Sequence, residues 1–107
     1  MNRVILSGRL VKDIELQEKK EKKGDKKVYT NFTLAVQRNK EEADFIDCVA
    51  FGNTAEFLDE YTSKGTKILI EGSINKSSYE DKDGNTVYNT KVIVFNVEFA
   101  DSKKSKE

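Results

Sequence analysis

The feature that most constrains the fold is a regular alternation of side chains over residues 28–36. Val28, Phe32, Leu34 and Val36 fall on one face of an extended strand, and the opposite face is mostly polar. A strand of this kind buries one face and leaves the other in water, which is typical of antiparallel sheets. Parallel sheets need strands that are apolar on both faces, so the pattern argues against that class.

Length and composition favour one small barrel. The chain has 107 residues, enough for one domain with a single modest core. Hydrophobic residues make up 36% of the chain and charged residues also 36%, so few side chains are available for an interior. We therefore expect a closed barrel in which each strand buries only one face.

Strands are also predicted on either side of residues 28–36. Residues 3–11 are rich in Val, Ile and Leu, and Gly8 within them indicates a bulge or a sharp bend. Residues 44–52 alternate as well. One face of that strand is predicted to carry Ile46, Cys48 and Ala50, and the other Phe45, Asp47, Val49 and Phe51. Two aromatic side chains are thus expected on one face.

The second half of the chain predicts one helix and two strands. Asn53 and Glu56 resemble a capping box and Gly65 fits the position after a helix, so residues 54–64 are predicted to be helical. Strands follow over residues 67–78 and 86–99, joined by a turn at residues 81–85. The core-facing residues of these two strands are predicted to be Ile68, Ile70, Ile74, Val92, Val94 and Val97.

The order of three strands, a helix and two strands is that of an OB-fold. We predict an all-β, five-stranded OB-fold barrel with one short helix between strands 3 and 4, spanning residues 1–100 and followed by a short charged tail at 101–107. Residues 19–27 contain six lysines and no apolar side chain. We expect them to form a mobile loop between strands 1 and 2 that closes over a bound ligand.

Catalytic and metal-binding chemistry find little support in the sequence. There is no histidine, and the single Cys48 lies in an apolar stretch that is typical of a small buried thiol. Residues 24–27 lack the upstream glycine and the hydroxyl residue of a phosphate-binding loop, and residues 81–85 lack the distal glutamate of a calcium loop. We expect no enzymatic activity, no metal and no cofactor.

The sequence predicts a cytoplasmic protein. No stretch approaches 18 apolar residues, and the apolar run near the N-terminus is too short for a signal peptide. A single cysteine agrees with a reducing compartment. We therefore expect no membrane association and a location in the cytoplasm, or in the host cytoplasm for a viral protein.

Net charge gives no indication of a nucleic-acid partner, because 19 basic residues balance 19 acidic ones. The aromatic residues are more informative. A protein that holds single strands needs exposed rings on which bases stack, with cations nearby to meet the backbone. Phe45 and Phe51 fit this requirement by their shared face, and Tyr79 lies near the end of strand 4 on the side away from the core.

Several motifs, in the same order along the chain, resemble the bacterial single-stranded-DNA-binding protein family. They are residues 2–10 (NRVILSGRL), 31–36 (NFTLAV) and 43–52 (ADFIDCVAFG), then Ala55-Glu56, Lys64-Gly65, Ile70-Glu71-Gly72 and Tyr79. The likeness runs from residue 2 to about residue 99. It implies an OB-fold that binds single-stranded DNA without sequence specificity during replication, recombination or repair, and that assembles as a homotetramer.

The resemblance also implies which residues contact DNA. Phe45, Phe51 and Tyr79 stand where family members stack bases. The basic residues that stand near positions of backbone contact are Arg3, Arg9, Lys12, Arg38, Lys40 and Lys76.

The chain departs from the family in ways that keep a second function open. Asp47 places an acid between the two phenylalanines, and residues 75–78 hold one lysine where the family has several basic residues. The family's acidic tip, which recruits replication and recombination proteins, has no counterpart in the tail at 101–107. The alternative function is an OB-fold protein-interaction module of a replication complex, in which the same aromatic residues bind a protein.

Overall fold

A computed structural model describes residues 1–20 and 26–100. Its elements are β1 (Val4–Leu10), β2 (Gln17–Lys20), β3 (Lys26–Gln37), β4 (Ala43–Phe51), α1 (Gly52–Tyr61), β5 (Lys67–Glu80) and β6 (Thr86–Phe99). The five predicted strands and the helix are all present in the predicted order, and β2 is an additional strand. Residues 101–107, the predicted tail, lie outside the described residues.

The sheet closes into a ring of five strands. Neighbours around the ring are β1, β5, β6, β4 and β3, and β3 returns to β1. All of these pairs are antiparallel except β4 with β6. This closure and the order of strands confirm the predicted OB-fold.

The first strand closes the ring by pairing with two partners. Its residues from Val4 to Arg9 pair with β5, and Arg9 and Leu10 also pair with β3. A Cβ added to Gly8 would lie 2.4 Å from the carbonyl oxygen of Ala35, so glycine permits the close approach of β1 and β3. The β1–β5 register is unbroken at Gly8, and of the two alternatives the bulge is therefore wrong at this position.

The barrel interior holds the predicted apolar faces, and α1 covers one end of it. Leu34, Ile68 and Ile70 are fully buried, as are Ala55 and Leu58 of the helix. The remaining predicted core residues of β4 and β6 are buried or packed against this cluster. The alternation read from the sequence therefore identifies the faces that meet inside the barrel.

The helix begins and ends earlier than predicted. Its first residue is Gly52, whose φ of 59° turns the chain directly from β4 into α1. The capping-box prediction is wrong, since Phe51 occupies the N-cap and no side chain among the described residues caps this end. At the other end the Thr62 N–H donates to the Leu58 carbonyl, and Gly65 lies beyond the helix in the turn that joins it to β5.

The lysine-rich segment is not only a loop, contrary to prediction. Gln17–Lys20 forms β2 and pairs with the first residues of β3, from Lys26 to Tyr29. Backbone hydrogen bonds hold β2 and β3 together as an antiparallel pair. The sequence indicated an unstructured flap because the segment is polar throughout. Residues 21–25, at the centre of the predicted flap, lie outside the described residues.

The last two strands extend beyond the barrel as a two-stranded arm. We define the arm as residues 74–91, which comprise the end of β5, the turn at 81–85 and the start of β6. The pairing of β1 with β5 stops at Gly72, and that of β4 with β6 starts at Val92, so in the described chain the arm strands pair only with each other. Ile74, predicted to lie in the core, is therefore 49% exposed.

Candidate nucleic-acid interface

The outer face of β3 and β4 carries exposed aromatic rings at both of its ends. Opposed residues of an antiparallel pair share a face, and Phe45 lies opposite Ala35 while Phe51 lies opposite Tyr29. Phe45 is 67% exposed and Phe51 is 52% exposed. Phe51 lies six positions after Phe45 along β4, a span of about 20 Å. The Tyr29 ring lies 6.4 Å from that of Phe51 and extends the aromatic surface at that end.

An open groove of about 800 Å³ lies across the same face, between the rows that hold the two phenylalanines. Its floor includes Asn31, Thr33 and Asp47, which belong to the intervening rows of β3 and β4. One wall is the connection between β1 and β2, and the opposite wall holds Asn89 and Lys91 of the arm. Barrel, connection and arm thus meet at one surface.

The charges that line this groove are balanced. Its cations are Lys12, Lys64 and Lys91, and its acids are Asp13, Glu15 and Asp47. The Lys91 Nζ donates to Asn31 Oδ1 at 3.1 Å, a contact that crosses β4. Two of the acids accept hydrogen bonds from the protein, since Asp13 Oδ1 accepts from the Lys64 N–H at 2.7 Å and Asp47 Oδ1 from Thr33 Oγ1 at 3.4 Å. A polyanion bound here meets no net positive charge in the groove itself.

The two predicted arginines near the N-terminus lie at different places, Arg9 within β1 and Arg3 just before it. Arg9 shares a row with Ala35 and Phe45, two strands from that aromatic ring, or about 10 Å across the sheet. Its Nη1 donates to the carbonyl of Gly65 at 3.0 Å. Arg3 lies near the other end of β1 and forms an ion pair with Glu71 (Nε to Oε2, 2.7 Å), outside the groove.

Arg38 and Lys40 lie in the connection between β3 and β4, close to Phe45. The Arg38 guanidinium donates hydrogen bonds from Nε and Nη2 to the Asp44 carboxylate. Its Nη1 lies 4.0 Å from Glu42 Oε2. The hydrogen bonding with Asp44 raises the pKa of Arg38 and lowers the pKa of Asp44. Lys40 is exposed at the turn. Arg38 is thus an exposed cation that is already paired with an acid, which sequence alone did not indicate.

Tyr79 and Lys76, which the resemblance assigns to DNA contact, lie on opposite faces of the arm. Tyr79 lies opposite Val87, on the face that also holds Asn89 and Lys91 and so continues the groove. Lys76 is three residues away along β5 and therefore lies on the opposite face. Its Nζ is 4.8 Å from the centre of the Tyr88 ring.

Several residues of this surface were missed by sequence reasoning. Lys64, Lys91 and Asn31 join the groove only because the connection between α1 and β5, strand β6 and strand β3 converge there, and no local spacing indicates it. Tyr29 carries a weak signal, since it lies on the polar face of the alternating segment 28–36. Tyr88 carries a similar one, as an aromatic residue in the polar stretch after the turn.

The described residues offer little for other chemistry. Cys48 is 1% exposed, and burial raises the pKa of its thiol to about 12, so it stays protonated at neutral pH. Within residues 1–20 and 26–100, no group of three or more Cys, Asp or Glu side chains has the geometry to hold a metal ion. The single helix of that part of the chain is too short and too polar to cross a bilayer.

Comparison with known proteins gives a consistent result. A sequence model of the Single-strand binding protein family matches residues 1–100. A "Single-stranded DNA-binding protein" of Clostridium perfringens is 45% identical over 104 residues, covering 95% of this chain and 67% of the relative. A protein of the same name from Fusobacterium nucleatum is 45% identical over 114 residues, covering 98% of this chain and 70% of the relative. One from Staphylococcus aureus is 36% identical over 113 residues, covering 100% and 70%. On the strength of this match, the chain belongs to the single-strand binding protein family.

Proposed function

We propose that this protein binds single-stranded DNA without sequence preference and covers exposed strands during replication, recombination or repair. The observation that carries the proposal is the open groove between two exposed aromatic residues, Phe45 and Phe51, on the outer face of β3 and β4. Relatives that are 36% to 45% identical over nearly the whole chain are named single-stranded DNA-binding proteins.

Stacking explains binding without sequence preference. Every base has a π-face that fits an aromatic ring, whereas base-edge recognition needs hydrogen-bonding groups matched to one base. We assign base stacking to Phe45 and Phe51 on the barrel and to Tyr79 on the arm. The balanced charge of the groove makes stacking the larger contribution, because phosphate neutralisation there has few cations to draw on.

The basic residues are assigned secondary roles. Lys12 and Lys91 line the groove and are proposed to contact phosphates directly. Arg9 shares a row with Phe45, and Lys40 lies in the neighbouring turn, so both are proposed to meet the strand where it leaves the groove. Arg38 contributes less, since Asp44 occupies its guanidinium, and Arg3 lies outside the groove beside Glu71.

We further propose that the protein binds DNA without catalytic activity. We also propose that several copies assemble, and the family to which the chain belongs indicates a homotetramer. Support for self-association comes from membership of the single-strand binding protein family, whose model matches residues 1–100. Replication and recombination proteins are the expected protein partners. The aromatic residues assigned to DNA are also the surface that an interaction module would use, so one experiment addresses both functions.

That experiment is a titration with fluorescently labelled oligo-thymidine, repeated with a mixed-sequence oligomer and with a duplex. We expect tight binding to both single strands and weak binding to the duplex. The Phe45→Ala/Phe51→Ala double variant is expected to weaken single-strand binding at least ten-fold. Tyr61→Ala is the matched control, since Tyr61 is 57% exposed but packs on Phe57 of α1.

The outcome separates the two functions. Equal binding by wild type and the double variant would contradict the assigned stacking surface. A wild-type protein without measurable affinity for any single strand would contradict DNA binding altogether and would favour the protein-interaction module.

A further inference from the structure

The arm exposes a tyrosine on each of its two faces. Tyr79 and Tyr88 lie in adjacent rows of the β5–β6 ladder, where Tyr79 pairs with Val87 and Tyr88 pairs with Ser78. Adjacent rows point to opposite faces, so the two rings project in opposite directions. Their exposed fractions are nearly equal, at 60% and 63%. We call the side of Tyr79 the groove face and the side of Tyr88 the back face.

The back face combines an aromatic plane with a cation. The Lys76 ammonium lies 4.8 Å from the centre of the Tyr88 ring, within the range of a cation–π contact. The same face carries Thr90 opposite Lys76 and Ser78 opposite Tyr88, which add hydroxyl groups. Glu80, two rows nearer the tip than Tyr88, is an acid on this face. An exposed ring beside a cation is the combination with which proteins hold a nucleotide of a single strand, the ring stacking on the base and the cation meeting the backbone.

Neither folding nor the groove accounts for these two residues. A two-stranded ribbon has no interior, and Lys76 and Tyr88 are both exposed on it. Both lie on the far side of the arm from Asn89 and Lys91, the residues through which the arm lines the groove. Lys76, which the resemblance assigns to backbone contact, therefore belongs to a different surface from Tyr79.

We propose that Lys76 and Tyr88 form a second single-strand subsite, so that a bound strand leaves the groove, rounds the arm and stacks one base on its back face. This inference rests on the proposed DNA binding and extends it. Its ligand is a nucleotide of single-stranded nucleic acid, held by the Tyr88 ring and by a Lys76 contact with the adjoining phosphate. A short strand fills the groove alone, and only a longer one reaches the back face.

The test compares an oligo-thymidine of about 8 nucleotides with one of about 30, chosen around the 4 to 16 nucleotides that one OB-fold covers. Tyr88→Ala is expected to weaken binding of the longer oligomer about ten-fold and to leave the shorter one unchanged. Tyr88→Phe, which keeps the ring, is expected to match wild type. Lys76→Ala is expected to lower the salt slope by about 0.7 for the longer oligomer only.

Photo-crosslinking makes the test direct. A 30-nucleotide strand carrying 5-iodouracil is expected to crosslink to Tyr88 as well as to Tyr79, as identified by mass spectrometry of the peptides. Unchanged long-strand affinity in Tyr88→Ala, alongside weakened binding by Phe45→Ala, would overturn the second subsite and leave the proposed function standing. Unchanged affinity in both variants would overturn the stacking assignments of the proposed function as well. A change in particle mass on Tyr88→Ala would show an interface between copies, and would also overturn the subsite.

Discussion

The barrel and the arm are built from the same two strands, yet they bury their residues differently. Ile70 and Ile74 lie four residues apart on β5 and share a face, but Ile70 is fully buried whereas Ile74 is 49% exposed. Within the barrel, β5 has β1 on one side and β6 on the other, and beyond Gly72 its partner in the described chain is β6. Burial of these side chains thus depends on closure of the sheet. The alternation of apolar and polar residues in the sequence predicts only which side chains share a face.

The difference in burial means that the barrel and the arm hold their aromatic residues in different surroundings. The barrel holds Phe45 and Phe51 on β4, which pairs with β3 along its whole length and with β6 at residues 48–50, and which has the packed core behind it. The arm holds Tyr79 and Tyr88 on a ribbon whose two faces are both open to a ligand. We expect substitutions of the buried barrel residues to act on stability, and substitutions of the exposed rings, in the barrel and in the arm, to act on binding.

The largest expected effect comes from the matched pair Ile70→Ala and Ile74→Ala. Truncation of the buried side chain is expected to cost about 2 to 5 kcal/mol of unfolding free energy, because it leaves a cavity in the core. Truncation of the exposed Ile74 side chain is expected to cost less than about 1 kcal/mol of unfolding free energy. Urea denaturation at one fixed protein concentration measures both, since assembly of copies would make stability concentration-dependent. Equal losses would show that the arm is packed as the barrel is.

A smaller effect is expected at Asn2, which fastens the arm to the barrel. Its side-chain amide donates to the Ile74 carbonyl at 2.7 Å and accepts from the Ile74 N–H at 2.8 Å, where β5 leaves the barrel. Each such hydrogen bond contributes about 0.5 to 1.5 kcal/mol. The Asn2→Ala variant loses both bonds, so the amide hydrogen of Ile74 is expected to exchange faster with solvent. Asn2→Asp, which keeps an acceptor, is expected to retain part of the protection.

The same substitution tests whether the fastening matters for binding. If Asn2 sets the direction of the arm, Tyr79→Ala is expected to cost less affinity in the Asn2→Ala background than in wild type. An identical cost in both backgrounds would mean that the arm keeps its position without Asn2.

The smallest expected effect concerns two cations of the barrel side, Lys12 and Arg38. Lys12→Ala is expected to lower the salt slope of single-strand binding by about 0.7, the amount for one phosphate contact. Arg38→Ala is expected to lower it less, because Asp44 already occupies the guanidinium. Asp44→Asn removes the stronger of the two acids beside the guanidinium and is expected to raise affinity. Equal slopes for Lys12→Ala and Arg38→Ala would show that DNA displaces the carboxylate.

The sequence predicted the barrel better than the surface on it. Local alternation identified the strands, the core faces of β3 and β4, and the shared outer face of Phe45 and Phe51. The hairpin of β2 and the exposure of Ile74 depend on which strands become neighbours, and that information is not contained in any one segment. The pairing of Lys91 with Asn31, 60 residues apart, needs the register of two ladders at once. The resemblance assigns both Lys76 and Tyr79 to DNA contact, and only the strand geometry shows that they lie on opposite faces of the arm.

The central claim is that stacking on Phe45, Phe51 and Tyr79 supplies most of the affinity for single strands. The most direct measurement is the salt dependence of oligo-thymidine binding by wild type, Phe45→Ala and Tyr79→Ala, followed by fluorescence of the labelled strand. Each stacked base is worth about 1 to 3 kcal/mol, so each variant is expected to bind about ten-fold more weakly at every salt concentration with an unchanged slope. A folded Phe45→Ala/Tyr79→Ala protein with undiminished affinity would contradict the account.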